Sequence, residues 1–175
     1  MTGGSAARAQ ARREEIISAC ERLYAQRGFK DVTIKDIGDL TSFTRTSIYN
    51  YFETKEEIFL ALLQREYAAW AADLAALADS PPAGAKALAR ALAETLSRRQ
   101  TMLRLMSTSL FEMEENSRVE ALADFKRGFR ALLTVLDACV AAGCPTLSEA
   151  DREAFRFAFL PLVYGVWPYA TVTEK

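Results

Sequence analysis

Apolar residues recur every three or four positions over most of the chain, the period of helices that bury one face. Ile16, Cys20, Leu23 and Tyr24 set that period in a first helix expected over residues 6–27, with Arg8, Arg12, Arg13 and Arg22 on the remaining positions. Gly28 is expected to stop this helix in a left-handed conformation, with Phe29 folding back onto it. Thr33 predicts the N-cap of a short second helix, Asp36 three residues on completes a capping pair, and Ile34, Ile37 and Leu40 form the apolar stripe. Thr41, Ser42 and Phe43 make a tight connection to a third helix, capped by Thr44 and spanning residues 45–52. Thr54 caps a long fourth helix that opens Lys55-Glu56-Glu57, its carboxylates near the positive end. Its period holds to about Asp79, where Ser80, Pro81 and Pro82 end it. Four more helices are expected, over residues 84–99, 101–114, 117–142 and 148–164 or later. Gly143 and Pro145 separate the last two, and Ser148 with Asp151 repeats the capping pattern.

The informative segment runs from Thr33 to Lys55. Two short helices joined by a three-residue turn form a helix-turn-helix, whose second helix can enter the major groove of a duplex. Ile48 and Phe52 are four apart and anchor that helix to the core, and Phe43 packs at the turn. This leaves Arg45, Thr46, Ser47, Tyr49, Asn50 and Tyr51 at least partly outward. Packing alone would also account for the two tyrosines, and capping alone for the threonines.

The run TIKDIGDLTSFTRTSIYNYFETKEEIFLALL, with the Arg27-Gly28-Phe29 ending of the helix before it, resembles the DNA-binding headpiece of TetR-family regulators. The likeness covers about the first 65 residues. Beyond it the chain is similar only in being helical and of suitable length. The resemblance implies an all-α protein with a three-helix headpiece at residues 1–54 and a helical ligand-sensing and dimerisation bundle at 55–175. It implies phosphate contacts from Thr33, Thr44, Ser47, Tyr49, Tyr51 and Lys55, base-edge or phosphate contacts from Arg45 and Thr46, and a backbone or base contact from Asn50. Ser42 stands where the family usually has glycine and Thr41 where alanine is common. Serine tolerates a left-handed backbone less well, so a slightly different turn is expected.

The resemblance further implies a homodimer through the last two helices. Phe155, Phe159, Leu162, Val163, Val166 and Trp167 are the candidate seam. With Lys175 following soon after Pro168, the family's usual final helix is expected to be short or absent. Trp70, Met102, Met106, Leu110, Phe111, Phe125, Phe129 and Tyr164 are candidates to line an apolar effector cavity, with Arg104 and Asp137 as polar anchors. Such residues at helical spacing are core more often than pocket.

Composition narrows the chemistry. Half the residues are apolar, enough for a real core. Net charge is −1, so any nucleic-acid affinity rests on local placement. From Met1 to Lys55 there are nine Lys or Arg and seven Asp or Glu, a local net of +2. Arg8, Lys35, Arg45 and Lys55 are expected on the DNA side, and Glu14, Glu15 and Glu21 elsewhere. The absence of histidine removes His-based triads, general bases and metal ligands, and no Gly-rich phosphate loop or nucleophile motif stands in. An enzyme is therefore not expected, nor a cofactor or metal. Cys20, Cys139 and Cys144 suit indifferent or buried thiols in a reducing cytoplasm. Residues 1–10 lack the apolar run of a leader, and the apolar stretch 157–170 is too short and too interrupted for a membrane span. The expected function is that of a sequence-specific regulator binding operator DNA as a homodimer, a repressor released by a small apolar or amphipathic ligand. An activator, an effector-independent regulator and a helical interaction module without DNA binding stay open.

Overall fold

Two helices begin where the sequence sets a hydroxyl three residues ahead of a carboxylate. Thr33 Oγ1 accepts from the Asp36 N–H at 3.2 Å, while Asp36 Oδ2 accepts from the Thr33 N–H at 3.0 Å and hydroxyl at 2.6 Å. Ser148 and Asp151 repeat the arrangement at the same three distances. Each box satisfies N–H groups that a helix start leaves orphaned. The hydroxyl and backbone hydrogen bonds hold both carboxyls below the usual range.

The computed structural model describes residues 3–171, and every regular element among them is helical. The helices are α1 (Gly3–Tyr24), α2 (Ile34–Asp39), α3 (Arg45–Ile48), α4 (Lys55–Asp79), α5 (Ala85–Ser97), α6 (Gln100–Thr108), α7 (Leu110–Glu115), α8 (Val119–Gly143) and α9 (Glu149–Ala170), with a 3₁₀ turn at Phe29–Asp31. None is long and apolar enough to cross a membrane. The last four residues of the expected sensing domain lie outside the described residues.

Four expectations need correction. Gly28 is extended (φ −73°, ψ 160°), not left-handed. The chain leaves α1 through a tightened turn, with the Gln26 N–H on the Leu23 carbonyl. A Cβ at 28 would lie 2.8 Å from Asp31 Oδ2, the tip of an exposed side chain that can turn away, so neither backbone angle nor packing demands glycine there. The third helix is a single turn, continued to Phe52 by Asn50-to-Ser47 and Tyr51-to-Ile48 backbone bonds. The helix expected over 101–114 divides at Ser109 (φ −139°, ψ −3°). Just before that break Ser107 turns its hydroxyl onto the Leu103 carbonyl, the local competition by which serine weakens helices. Finally, α9 is not short. It carries Pro161 and Pro168 within 22 residues, and the donor missing at Pro161 falls against the carbonyl of Phe157, an exposed residue.

Packing divides the chain into two units. The first comprises residues up to Leu62 together with Ser109–Phe125; the second comprises Leu63–Thr108 and the chain from Lys126 onward. In the first, α1 packs on α2 and α2 on α3. Ile16, Cys20, Val32, Ile37, Ile48, Ile58 and Phe59 are wholly buried. Phe59 meets Tyr24 edge-on at 5.3 Å and Phe29 at 4.7 Å. In the second, α6 packs on α9. Buried Trp70 donates its indole N–H to buried Thr95 at 3.0 Å, and Thr95 donates to the Leu92 carbonyl at 2.8 Å. The polar edge of the largest core side chain is thereby satisfied, sparing a cost of about 1–3 kcal/mol. Cys20 and Cys139 are buried thiols, and burial pushes Cys139 further from the reactive thiolate.

Glu57 is the buried charge of the first unit, with its side chain 1% exposed. It accepts from Arg118 Nε at 2.6 Å, Arg118 Nη2 at 2.9 Å, the Arg118 N–H at 3.1 Å and the Glu53 N–H at 2.9 Å. Burial pushes its carboxyl up, but the Arg118 guanidinium and the two backbone N–H groups outweigh burial and hold it below the usual carboxylate range. A depressed folded pKa gives stability that is complete above the unfolded value, about pH 4.3, and lost as pH falls through the folded one. Glu57→Gln places an amide N–H₂ among donors and is expected to cost about 1–3 kcal/mol at pH 7. It should also flatten the loss of stability between about pH 5 and 3, read by urea unfolding followed by circular dichroism. Asp36 and Asp151 keep part of that slope. A variant with the wild-type slope contradicts this account of Glu57.

Candidate nucleic-acid interface

The interface is built on a helix too short to hold itself. Four residues are far below the length at which a helix is stable alone, so α3 depends on what it packs against. Ile48 is wholly buried and Phe52 is 1% exposed. α2 and α3 approach closely: a Cβ on buried Gly38 would stand 3.4 Å from both Cα and Cβ of Arg45. That approach accounts for a glycine inside α2, where it otherwise weakens a helix.

The turn between them is braced from α1. Glu15 accepts the Ser42 N–H on Oε1 and the Ser42 hydroxyl on Oε2, the latter at 3.0 Å. The Thr41 hydroxyl is shared between the carbonyls of Gly38 and Phe43, at 2.9 and 3.1 Å. No residue other than glycine has positive φ among the described residues, so Ser42 needs no left-handed backbone. Glu15, expected to point away, instead faces the turn, where it accepts a backbone N–H that any residue but proline would offer and a hydroxyl that Ser42 adds. The carbonyl of Leu40 after α2 accepts from Arg22 Nη2 at 3.3 Å. Arg13, expected on the outer positions of α1, lies 4.3 Å over the ring of Phe52, and burial lowers its pKa.

The candidate contact residues fall into two groups. Lys35, Thr44, Arg45, Thr46, Tyr49 and Asn50 are exposed. Arg45 Nη2 lies 3.4 Å from the Tyr49 hydroxyl. Thr44 occupies the N-cap of α3, but its hydroxyl pairs with Ser47 Oγ at 3.1 Å and caps no backbone N–H. The others are committed within the protein. Tyr51 and Ser47 are half-buried. The N–H and hydroxyl of Thr33 both donate to Asp36. Lys55 Nζ donates to the Phe29 carbonyl at 3.1 Å and lies 4.7 Å over that ring. Glu15 and Arg118 carry structural roles that sequence reasoning missed. Their contacts span 27 and 61 residues, beyond any local pattern. Glu57 had a signal, Thr54-x-x-Glu57 ahead of an apolar run, and Thr54 Oγ1 does cap the Glu57 N–H at 3.2 Å.

The effector and dimer candidates are divided between the two units. Trp70, Met102 and Met106 are buried in the second unit. Phe129 and Tyr164 of that unit are half-buried beside Tyr67, the first at 5.5 Å between ring centroids and the second at 3.5 Å between hydroxyls. Leu110, Phe111 and Phe125 belong to the first unit, where Phe111 is 81% exposed and Phe125 is buried. Asp137 is taken up by Arg152, at 3.3 Å, and Arg156. On α9, Val163 is in the core of the protomer and Leu162 is exposed, while Phe155, Phe159, Val166 and Trp167 are half-buried. Phe155 and Phe159 stack at 5.0 Å.

Residues 16–62 match the family model described as "Bacterial regulatory proteins, tetR family", and residues 64–175 match "Tetracyclin repressor-like, C-terminal domain". The chain is 29% identical over 152 residues to the HTH-type transcriptional repressor KstR2 of Rhodococcus jostii, covering 83% of this chain and 74% of that protein. It is 44% identical over 55 residues to the HTH-type transcriptional regulator TtgR of Pseudomonas putida, covering 31% of this chain and 26% of that one. It is 34% identical over 68 residues to the HTH-type transcriptional repressor NemR of Escherichia coli, covering 39% and 34%. The chain thus spans about three quarters of the first relative and no more than about a third of the other two.

The brace on the turn is testable. Glu15→Ala removes both acceptors of Ser42 and is expected to cost about 0.5–1.5 kcal/mol. Hydrogen exchange should accelerate at the Ser42 amide ahead of the core of α4. Unchanged protection at Ser42 would show that Glu15 does not hold the turn.

Proposed function

The chain belongs to the tetR family of bacterial regulatory proteins and is a DNA-binding transcriptional regulator, not an enzyme; on that premise we propose that it works in the cytoplasm as a homodimeric repressor. In this reading two headpieces grip a palindromic or near-palindromic operator, and a small apolar or amphipathic effector binding the second unit releases them. One observation carries the DNA-binding assignment to residues: α3 and the turn after it bury Ile48 and Phe52 and leave Arg45, Thr46, Tyr49 and Asn50 to solvent. Arg45 and Thr46, at the start of α3, read base edges or the phosphates beside them, and Asn50 meets base or backbone. Thr44, Ser47, Tyr49 and Tyr51 contact phosphates. Lys35, Thr33 and Lys55 flank them on the backbone, the last two if their internal hydrogen bonds are shared or exchanged.

Pairing is supported by the apolar surface of α9, where Phe157, Leu162 and Tyr169 are 85%, 64% and 93% exposed. One headpiece covers too little DNA to be selective, whereas two set half-sites about 34–36 Å apart. The names of the Rhodococcus and Escherichia relatives support repression. The aromatic and thioether side chains of the second unit suit an apolar effector, which would act by binding one headpiece spacing better than the other.

Selection from a random DNA pool is expected to return a twofold-symmetric site with half-sites one helical turn apart. Sedimentation at micromolar concentration should give twice the chain mass; a monomer overturns the pairing. Tyr49→Phe should weaken binding to all sequences alike, since a phosphate contact carries no base information. Arg45→Ala should change preference at one or two operator positions by about 1–3 kcal/mol. A uniform loss for Arg45→Ala would make it a phosphate contact.

A further inference from the structure

The register of α1 extends past the core it serves. Ile16, Ala19, Cys20 and Leu23 are the buried stripe. The same stripe continued toward the N-terminus passes through Arg12, Arg8 and Ser5, at spacings of three and four. Where an apolar side chain would be expected the helix thus places two cations. These residues line a cleft with Ala9 and Tyr51, and Tyr51 belongs to the segment that follows α3. Arg8 Nε donates to the Gly4 carbonyl at 3.0 Å, which orients the guanidinium, and Arg12 lies 5.6 Å over the ring of Phe43 in the turn. Neither has a carboxylate partner among the described residues. The first turn of α1 has no acidic side chain to offset its positive end.

We propose that Arg8, Arg12 and Tyr51 form a phosphodiester seat, separate from α3, that takes the DNA backbone flanking each half-site. A guanidinium pair beside a phenol hydroxyl provides charge and donors for the oxygens of one or two adjacent phosphates. Planar, delocalised donors held by a ring and a carbonyl suit a fixed backbone better than a mobile ion. This assignment rests on the operator-binding reading above and extends its footprint along the backbone without adding base recognition.

The test compares wild type, R8Q/R12Q and R8K/R12K on a duplex recovered by selection, made with natural phosphates or with neutral methylphosphonates outside the half-sites. R8Q/R12Q should bind at least about tenfold more weakly at low salt. Its slope of log Kd against log salt should shrink by about 0.9 for each phosphate no longer neutralised. Methylphosphonates should weaken wild type and leave R8Q/R12Q unchanged, and R8K/R12K should keep most of the slope. Wild-type affinity and slope in a folded R8Q/R12Q dimer would overturn the seat while leaving operator binding by α3 intact. Failure of wild type to bind any duplex would overturn both. Should inorganic phosphate raise the melting temperature of wild type above chloride of equal ionic strength, with the DNA slope of R8Q/R12Q unaltered, the cleft is a free-anion site and the DNA assignment falls.

Discussion

A single buried carboxylate organises the first unit. Removing Glu57 from water costs several kcal/mol in principle, and that cost is offset by four hydrogen bonds arriving from two separated parts of the chain. The Glu53 N–H comes from the residues just before α4, and Arg118 from the turn between α7 and α8. The Thr54 hydroxyl reaches the same turn, donating to the Asn116 carbonyl at 3.0 Å, and Arg118 Nη1 is 3.1 Å from Glu53. The start of α4 is therefore fixed from both directions. Ile58, Phe59 and Leu62, the residues that follow, are a buried floor of this unit, and Phe59 meets Tyr24 of α1 and Phe29 after it.

That floor permits a division of labour inside a very short element. Ile48 and Phe52 attach α3 to the core, Gly38 lets α2 come close, and Glu15 holds the intervening turn. With shape supplied from outside, Arg45 and Thr46 of α3 are left to solvent. The second unit is built on another principle, an apolar core with one satisfied polar edge at Trp70 and Thr95 and ion pairs at its margin, such as Arg99 with Asp73 at 2.6 Å.

What could be read from sequence was what local chemistry decides. The capping boxes at Thr33 and Ser148, the turn at Thr41–Phe43, the start of α4 and its end at Asp79 all depend on residues within a few positions of one another, and the headpiece pattern was specific enough to name a family. Three kinds of feature were not legible. Gly28 carries no label that separates a left-handed stop from an extended exit. The division of α6 from α7 arises at Ser109, inside an otherwise regular apolar period. The roles of Glu15 and Arg118 depend on partners far along the chain. The candidate contacts divide on the same line. Exposure of Arg45, Thr46 and Tyr49 follows from helical spacing around two anchors, whereas the engagement of Lys55 with Phe29 is set by tertiary packing.

The separation between anchors and outward residues in α3 has a consequence for the history of such a protein. Exchanging Arg45, Thr46 or Asn50 removes little buried area and breaks no hydrogen bond of the core, so such changes weigh lightly on folding. Under the proposed reading, in which these residues meet the operator, target choice is then free to drift while Ile48, Phe52 and Gly38 stay fixed, and a duplicated gene can acquire a new set of promoters without first passing through an unstable intermediate.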